Sequence, residues 1–242
     1  MRYRDVAALK GVSLTLSPGE QVALVGPSGS GKSTLLKLVN GLVRPTQGRT
    51  LLGGQDLTTL SPSALSIWRT QVGYIPQDFG LVPNLSVHRN ILAGRVGSET
   101  LLASLLTAIH PPRQALEHAH ELLERLGIQD HLYRRTDTLS GGEQQRVAIA
   151  RALYQKPRVL LADEPLASVD PTRARALLEL LQSLATEREL TLLISLHNVE
   201  LARSHFTRLI GLRDGELLFD ADPKTLSDQD LEDIFHISPT AL

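Results

Sequence analysis

The amino-acid sequence predicts an α/β fold with a mainly parallel β-sheet. Short apolar runs of strand length alternate with segments of helical periodicity. One of these runs leads into a glycine-rich loop and then into a leucine-rich helical pattern. Between Asp78 and Gln155 the pattern becomes almost wholly helical, which predicts a helical lobe attached to the sheet. The runs interpreted as strands are 22–25, 72–75, 159–162, 190–194 and 208–212.

The composition restricts the classes of partner. The chain has 242 residues, enough to bury a substantial core around one sheet. Its 25 basic and 26 acidic side chains are interspersed and give a net charge of −1, so nothing favours a nucleic-acid partner. No apolar run approaches the roughly 18 residues of a membrane-spanning helix, and the first residues lack a signal-peptide pattern. Cysteine is absent, which fits a reducing compartment but also many other settings. Because no apolar run is long enough to span a membrane, any membrane role is expected to come through partners.

The first chemical motif is a phosphate-binding loop directly after the first strand of the core. It fits the pattern G-x-x-x-x-G-K-[ST] at every fixed position. Glycines let backbone N–H groups surround phosphates, and the following helix N-terminus adds partial positive charge. Lys32 is expected to neutralise the β- and γ-phosphates of ATP, and the Ser33 hydroxyl to bind Mg²⁺. The alternative is a flexible turn with an exposed lysine, which the flanking strand and helix disfavour. The loop residues are Gly26, Pro27, Ser28, Gly29, Ser30, Gly31, Lys32, Ser33 and Thr34.

The second motif is a pair of acids, Asp163 and Glu164, at the end of an apolar strand. The carboxyl ends of parallel strands are where α/β sheets bind their ligands. We expect Asp163 to hold Mg²⁺ through water and Glu164 to polarise the water that attacks the γ-phosphate. Taken alone, the pair is equally well explained as a solvated acidic turn, and the phosphate loop decides in favour of catalysis.

The third motif comprises Ser140, Gly141, Gly142 and Glu143. A serine three residues before a glutamate is a capping box at the start of a helix. Two glycines in the first turn are not explained by capping, because each lowers helix propensity by about 1 kcal/mol relative to alanine. Glycine leaves the first N–H groups accessible, so an anion can approach the helix terminus.

Together these motifs resemble the nucleotide-binding subunits of ATP-binding cassette (ABC) transporters, over nearly the whole chain. The resemblance implies a P-loop NTPase of ABC type, with a core at 1–77 and 156–242, an antiparallel β subdomain, and a helical lobe at 78–155. It implies that Ser140–Glu143 belong to the signature motif, which binds the γ-phosphate of the ATP held by the partner subunit. Gln77 matches the residue that contacts Mg²⁺ and senses the membrane subunit. Asp170, after Ser168 and Val169, matches the loop that crosses between subunits, and His197 matches the histidine that holds the γ-phosphate.

Tyr3 matches the aromatic residue that stacks on adenine in this family. Family members usually have a strand before it, whereas almost nothing precedes Tyr3 here. Chain ends fray unless they are tied into structure, so Tyr3 is expected to be poorly anchored.

Three further segments receive structural predictions. Asp170 and Pro171 predict a helix that continues to about Arg188, with its leucines in the core. The tail from Asp222 onward is predicted to be a capping helix with little chemistry. The leucine-rich stretch 98–109 allows either ordinary helical packing or a surface that meets the membrane subunit.

Four segments most resemble the ATPase of phosphonate importers: 92–97, 161–170, 196–202 and 226–235. The resemblance implies an ATP-dependent homodimer that binds two integral membrane permease subunits at the cytoplasmic face of the cell membrane, and indirectly a substrate-binding protein. A phosphite or phosphate importer would share nearly every residue. An ATPase of lipoprotein release or export would share the phosphate loop but is expected to differ after Pro165. A third alternative is a non-transport protein of the same fold, acting in translation, DNA repair or cell division. Translation factors usually carry two cassettes and repair proteins a long coiled coil, neither of which this sequence shows.

Overall fold

The computed structural model describes residues 1–3, 6–95, 110–167 and 169–235. The stretch 98–109 and Ser168 lie outside these ranges. The chain forms two compact units, unit 1 (Met1–Thr58 and Ala162–Leu242) and unit 2 (Thr59–Leu161). The helical lobe expected at 78–155 falls within the range of unit 2, which also contains residues 59–77 and 156–161, two stretches that were expected in the core.

Secondary structure in the described residues alternates between strands and helices. The strands are β1 (Arg2–Tyr3), β2 (Val6–Ala7), β3 (Gln21–Val25), β4 (Leu51–Leu52), β5 (Gln55–Asp56), β6 (Val72–Ile75), β7 (Val159–Asp163), β8 (Thr191–Leu196), β9 (Leu209–Arg213) and β10 (Glu216–Ala221). The α-helices are α1 (Lys32–Val39), α2 (Pro62–Thr70), α3 (Val87–Leu92), α4 (Arg113–Arg125), α5 (Gly141–Tyr154), α6 (Pro171–Glu187), α7 (Val199–His205) and α8 (Asp228–Asp233). Short 3₁₀ helices span Leu57–Thr59, Ala93–Arg95, Gln129–His131 and Thr136–Thr138.

Unit 1 is organised around a mixed, mostly parallel sheet. Its strands lie in the order β10-β9-β3-β8, with the last residues of β7 beside β8. Strand β3 runs parallel to both β8 and β9, whereas β10 is antiparallel to β9. Two small antiparallel pairs, β1 with β2 and β4 with β5, complete the unit. All five predicted strands, which correspond to β3, β6, β7, β8 and β9, are confirmed, with ends that differ by at most two residues. The other five described strands were not among the predicted runs.

Helix α6 confirms the prediction made from its first residues. The Asp170 side chain accepts a hydrogen bond from the Arg173 N–H at 3.1 Å, and Pro171 occupies the first helical turn. The apolar face of the helix is buried, as predicted, through Leu177, Leu178, Leu181 and Leu184. The predicted tail helix is confirmed as α8, which begins after the capping residue Ser227.

Unit 2 combines β6, beside β7, with a mainly helical region. Helices α3, α4 and α5 pack against one another. Its fully buried large side chains include Trp68, Ile75, Ile91, Leu122, Leu123, Ile149 and Leu153. In the part of the chain described here, no helix has the length and hydropathy needed to cross a membrane.

Candidate functional site

The phosphate loop is a tight turn between β3 and α1, and it lies against the backbone of β9. Gly26 has a φ of +148°. A Cβ atom at this position would lie 2.1 Å from the Leu212 carbonyl oxygen and 2.9 Å from Ser30 Oγ. Because a carbonyl on an internal strand cannot move aside cheaply, only glycine fits at position 26. The loop is therefore fixed by packing as well as by its own turn.

The Lys32 side chain lies inside this loop. Its Nζ donates hydrogen bonds to the carbonyl oxygens of Gly26 at 2.8 Å and Pro27 at 2.9 Å, and it is 3% exposed. Burial lowers the pKa of Lys32 from its ordinary value, and the nearby negative charge of Glu164 partly opposes this shift. The loop thus carries a cation at its centre.

The end of β7 brings oxygen ligands next to the start of α1. Ser33 Oγ donates to Asp163 Oδ1 at 3.0 Å, and Asp163 is buried. Ser195 Oγ, on β8, donates to the same Oδ1 at 3.0 Å and accepts a hydrogen bond from the Glu164 N–H at 2.8 Å. A hydroxyl and a carboxylate in contact are the hard oxygen donors that Mg²⁺ prefers. These residues therefore fit a magnesium ion.

Glu164 contacts both Lys32 and His197. Its Oε2 lies 2.6 Å from His197 Nε2, and its Oε1 lies 3.6 Å from Lys32 Nζ. The Glu164 backbone has a φ of +50°, a left-handed conformation that costs a non-glycine residue about 1–3 kcal/mol and clusters at functional sites. The carboxylate is 10% exposed and the histidine 41% exposed. Both oxygens of this carboxylate thus lie near a nitrogen of another side chain.

A cavity of about 490 Å³ opens beside these two residues within unit 1. Its polar end is formed by Glu164, His197 and Asn198, and its apolar part by residues that include Val169 and Pro171. Asp170 lies between the last two in sequence, but its side chain caps α6. Asp170 thus caps a helix, and its two neighbours in sequence line the cavity.

The glycine-containing segment predicted to bind an anion lies in unit 2, at the start of α5. Ser140 and Glu143 form the predicted capping box: Glu143 Oε2 accepts from the Ser140 N–H at 2.7 Å and from Ser140 Oγ at 2.8 Å, and Ser140 Oγ accepts from the Glu143 N–H at 3.4 Å. A Cβ atom at Gly141 or Gly142 would meet no atom within 4 Å. No packing within the described part of unit 2 therefore requires glycine at these two positions.

Gln77 and Tyr3, two further residues predicted for the site, are placed here by the positions of their backbones. Gln77 follows β6 in unit 2, at the beginning of a loop in which Phe79 and Gly80 both have positive φ. Arg151 of α5 donates to the carbonyl oxygens of both loop residues. Tyr3 has its backbone in β1, and its side chain is outside what the structure describes.

The sequence of this chain matches the family described as ABC transporter, over residues 9–167. The chain belongs to the ABC transporter family. The resemblance identified from the sequence motifs, and the ABC-type α/β fold that it implied, are thereby confirmed. Family membership implies nucleotide binding, dimerisation of the cassettes and work with membrane permease components.

Curated relatives of this ABC cassette cover almost its full length. It is 43% identical over 235 residues to the phosphonates import ATP-binding protein PhnC of Wolinella succinogenes, which covers 97% of this chain and 85% of the relative. It is 44% identical over 228 residues to a phosphonates import ATP-binding protein, PhnC 2, of a Synechococcus species, with 94% and 84% covered.

Solved structures of ABC cassettes share the fold. A dimeric ATP-binding cassette in a post-hydrolysis state, bound to ADP and phosphate, has a TM-score of 0.78 and 31% identity, and covers 91% of this chain and 93% of its own. The ADP conformation of a second ATP-binding cassette has a TM-score of 0.80 and 28% identity, with 97% and 94% covered.

Two residues of this ABC cassette were not identified from the sequence. Ser195 contacts both acids at the end of β7, and His131 lies 2.9 Å from Glu143. The signal for Ser195 is a polar residue that follows three apolar residues in a buried strand, two positions before His197. His131 has no comparable signal, because its side chain reaches Glu143 only through the turns that precede α5.

Proposed function

We propose that this chain binds and hydrolyses ATP to energise a phosphonate importer. The observation that carries the proposal is the contact of Lys32 and His197 with one carboxylate, Glu164, beside the Ser33–Asp163 pair. A cation, a carboxylate, a histidine and a metal-binding oxygen pair are the groups that phosphoryl transfer to water requires.

Binding of ATP would use the loop from Gly26 to Thr34. In the structure, Lys32 Nζ is bound to two loop carbonyls. The β- and γ-phosphates are better partners for an ammonium group than neutral carbonyls, because their oxygens carry net negative charge that attracts the cation. We therefore propose that Lys32 moves to the phosphates, while backbone N–H groups of the loop and of α1 surround them.

Ser33 and Asp163 are proposed to hold Mg²⁺. The ion would supply charge neutralisation on the phosphates. Asp163 is itself oriented by Ser195, whose hydroxyl donates to the same oxygen as Ser33 does. Ser195 therefore fixes the carboxylate for metal binding.

Glu164 is proposed to be the catalytic base. It would take the proton of the attacking water, and His197 would hold the γ-phosphate and the carboxylate in line. Once Lys32 moves to the phosphates, Glu164 Oε1 loses its contact with the ammonium group and can accept a hydrogen bond from that water.

The second half of the site is proposed to come from another copy of the chain. The segment from Ser140 to Glu143 would bind the γ-phosphate of the ATP held by the partner's loop, through the Ser140 hydroxyl and the backbone N–H groups. Asp170 would lie in the loop that crosses between the copies. The open space above Gly141 and Gly142 supports this assignment, because a phosphate can approach the helix terminus there. Tyr3 is proposed to stack on adenine.

Nucleotide-driven dimerisation follows from this arrangement. The γ-phosphate gains contacts from both copies, so ATP shifts the equilibrium toward the closed dimer, and hydrolysis removes those contacts. We propose that the dimer binds two integral membrane permeases at the cytoplasmic face of the membrane, and that a separate binding protein delivers the substrate. The relatives described above support phosphonate as that substrate.

Phosphonate uptake in cells that lack this subunit tests the proposal. Wild-type protein should restore uptake, whereas Glu164→Gln should not, and purified Glu164→Gln should form an ATP-bound dimer. Lys32→Ala should instead weaken ATP binding itself. Glu216→Gln is the matched control, because Glu216 is an exposed carboxylate of the same unit, 3.3 Å from Lys10 and remote in sequence from the motifs.

Two outcomes would contradict different parts of the proposal. Unchanged phosphonate uptake after deletion, in cells with no second phosphonate system, would exclude phosphonate; phosphite and phosphate uptake would then be measured in the same cells. A Glu164→Gln variant that stays monomeric at saturating ATP would contradict the proposed catalytic and dimerisation mechanism.

A further inference from the structure

The signature segment of this chain contains a carboxylate where an anion is expected to bind. Glu143 occupies the third position of α5, and both of its carboxylate oxygens are engaged. Hydrogen bonds from Ser140 and then from His131 lower the pKa of Glu143 to about 2, so it is ionised at neutral pH. A negative charge at this point repels the γ-phosphate that the same helix terminus would bind.

Glu143 also competes with phosphate for the serine hydroxyl. Ser140 Oγ donates its only proton to Glu143 Oε2 at 2.8 Å. To donate to a phosphate oxygen, the hydroxyl must turn away from the carboxylate. That rotation is less unfavourable when other donors also bond the carboxylate.

His131 supplies such a donor. Its Nε2 lies 2.9 Å from Glu143 Oε1, and because a carboxylate only accepts, this nitrogen carries the hydrogen. The ring is held by the 3₁₀ turn Gln129–His131, and its side chain is 20% exposed. Its Nδ1 is buried with no hydrogen-bond partner among the described residues. A buried, unpartnered nitrogen is unfavourable, so simple packing gives no reason for histidine here.

We infer that His131 is a positioning residue, which donates a hydrogen bond to the Glu143 carboxylate and so holds it away from the bound anion. Ser140 and the adjoining N–H groups can then bind the γ-phosphate of the partner copy's ATP. This inference rests on the proposed function of the signature segment. It assigns a role to the side chain of His131, which reaches the nucleotide only through Glu143.

ATP-dependent dimerisation of the full-length chain tests the inference. All variants carry Glu164→Gln, which is expected to hold the dimer, and the dimer dissociation constant is measured by sedimentation at saturating ATP. His131→Leu removes the donor and should weaken dimerisation about tenfold, the effect of losing a charge-assisted hydrogen bond. His131→Gln keeps an N–H donor and should remain within about threefold of the starting protein.

A double substitution separates positioning from general support of the fold. With Glu143→Gln the charge is gone, so adding His131→Leu should then change the dimer dissociation constant by less than about threefold. Binding of ATP to single chains, which uses the phosphate loop, should be unaffected by His131→Leu. His88→Leu is the control, because His88 is a half-buried histidine of the same unit whose Nδ1 lies 3.1 Å from the Leu132 carbonyl oxygen.

The outcomes distinguish failure of the inference from failure of the proposed function. If Glu164→Gln alone forms no dimer with ATP, the proposed function fails. If it does, the inference is overturned by an equal effect of His131→Leu with and without Glu143→Gln, by no effect, or by an equal loss with His131→Gln. If His131→Leu does not fold, as judged by circular dichroism, His131→Asn replaces it, because its shorter amide does not reach Glu143.

Discussion

Substitution of Gly26 by alanine tests how closely the phosphate loop is packed against the sheet. The added Cβ atom would lie 2.1 Å from a backbone carbonyl oxygen of β9, a distance that requires the loop or the strand to move. The matched control is Gly29→Ala in the same loop. Gly29 also has a positive φ, +81°, but its Cβ atom would meet nothing within 4 Å.

The two substitutions therefore differ in their steric cost. For Gly26→Ala we expect about 1–3 kcal/mol from backbone strain and about 1–3 kcal/mol from overpacking, hence about 4 kcal/mol in the free energy of unfolding. For Gly29→Ala only the backbone term remains, about 1 kcal/mol. In a chain of this size these values correspond to Tm decreases of about 8–16 °C and about 2–4 °C.

Thermal and urea unfolding measure both differences, and titration with ATP measures the loop itself. Gly26→Ala should also lose ATP binding, because the displaced loop no longer directs its N–H groups inward. Equal destabilisation by the two substitutions would show that contact with the Leu212 carbonyl does not restrict the loop.

Three further predictions concern unit 2. Arg151→Gln removes both hydrogen bonds to the loop after β6 and should lower the free energy of unfolding by about 2 kcal/mol. Arg146→Gln removes one hydrogen bond to a carbonyl oxygen and should lower it by about 1 kcal/mol. Urea unfolding measures both values. Gly94→Ala should destabilise by about 1–3 kcal/mol, measured in the same way, because its Cβ atom would lie 2.5 Å from the Arg151 carbonyl oxygen. The pKa of Glu143 is about 2 in the folded chain, below its ordinary value of 4.5. The ionised carboxylate therefore stabilises the fold at pH values above 4.5, and this stabilisation is lost as the pH falls toward 2. Glu143→Gln should thus have a lower Tm than wild type at about pH 6, and the difference should close on acidification; a constant difference would contradict this.

The parts of the structure that depend on local sequence were predictable. The phosphate loop, the cap of α6 by Asp170 and the capping box at Ser140 all follow from residues that are neighbours in sequence. The five predicted strands are mostly buried and apolar, so short apolar runs in the sequence indicate them.

The parts that depend on distant contacts were not predictable. Strand β10 alternates between exposed and half-buried residues, and it is specified by pairing with β9 rather than by a strong apolar run. The role of Ser195 depends on the alignment of β8 with the end of β7. His131 reaches Glu143 across two turns, and no periodic pattern records such a contact.

The contacts of Glu164 with Lys32 and His197 make the charges of the site depend on one another. A buried charge that loses its partner is more unfavourable than a pair removed together. In this site each charge has a second partner, because Lys32 also bonds the carbonyl oxygens of Gly26 and Pro27 and Glu164 also lies against His197. Single substitutions are therefore expected to be tolerated by the fold, so that capture of the nucleotide and its hydrolysis can be lost separately.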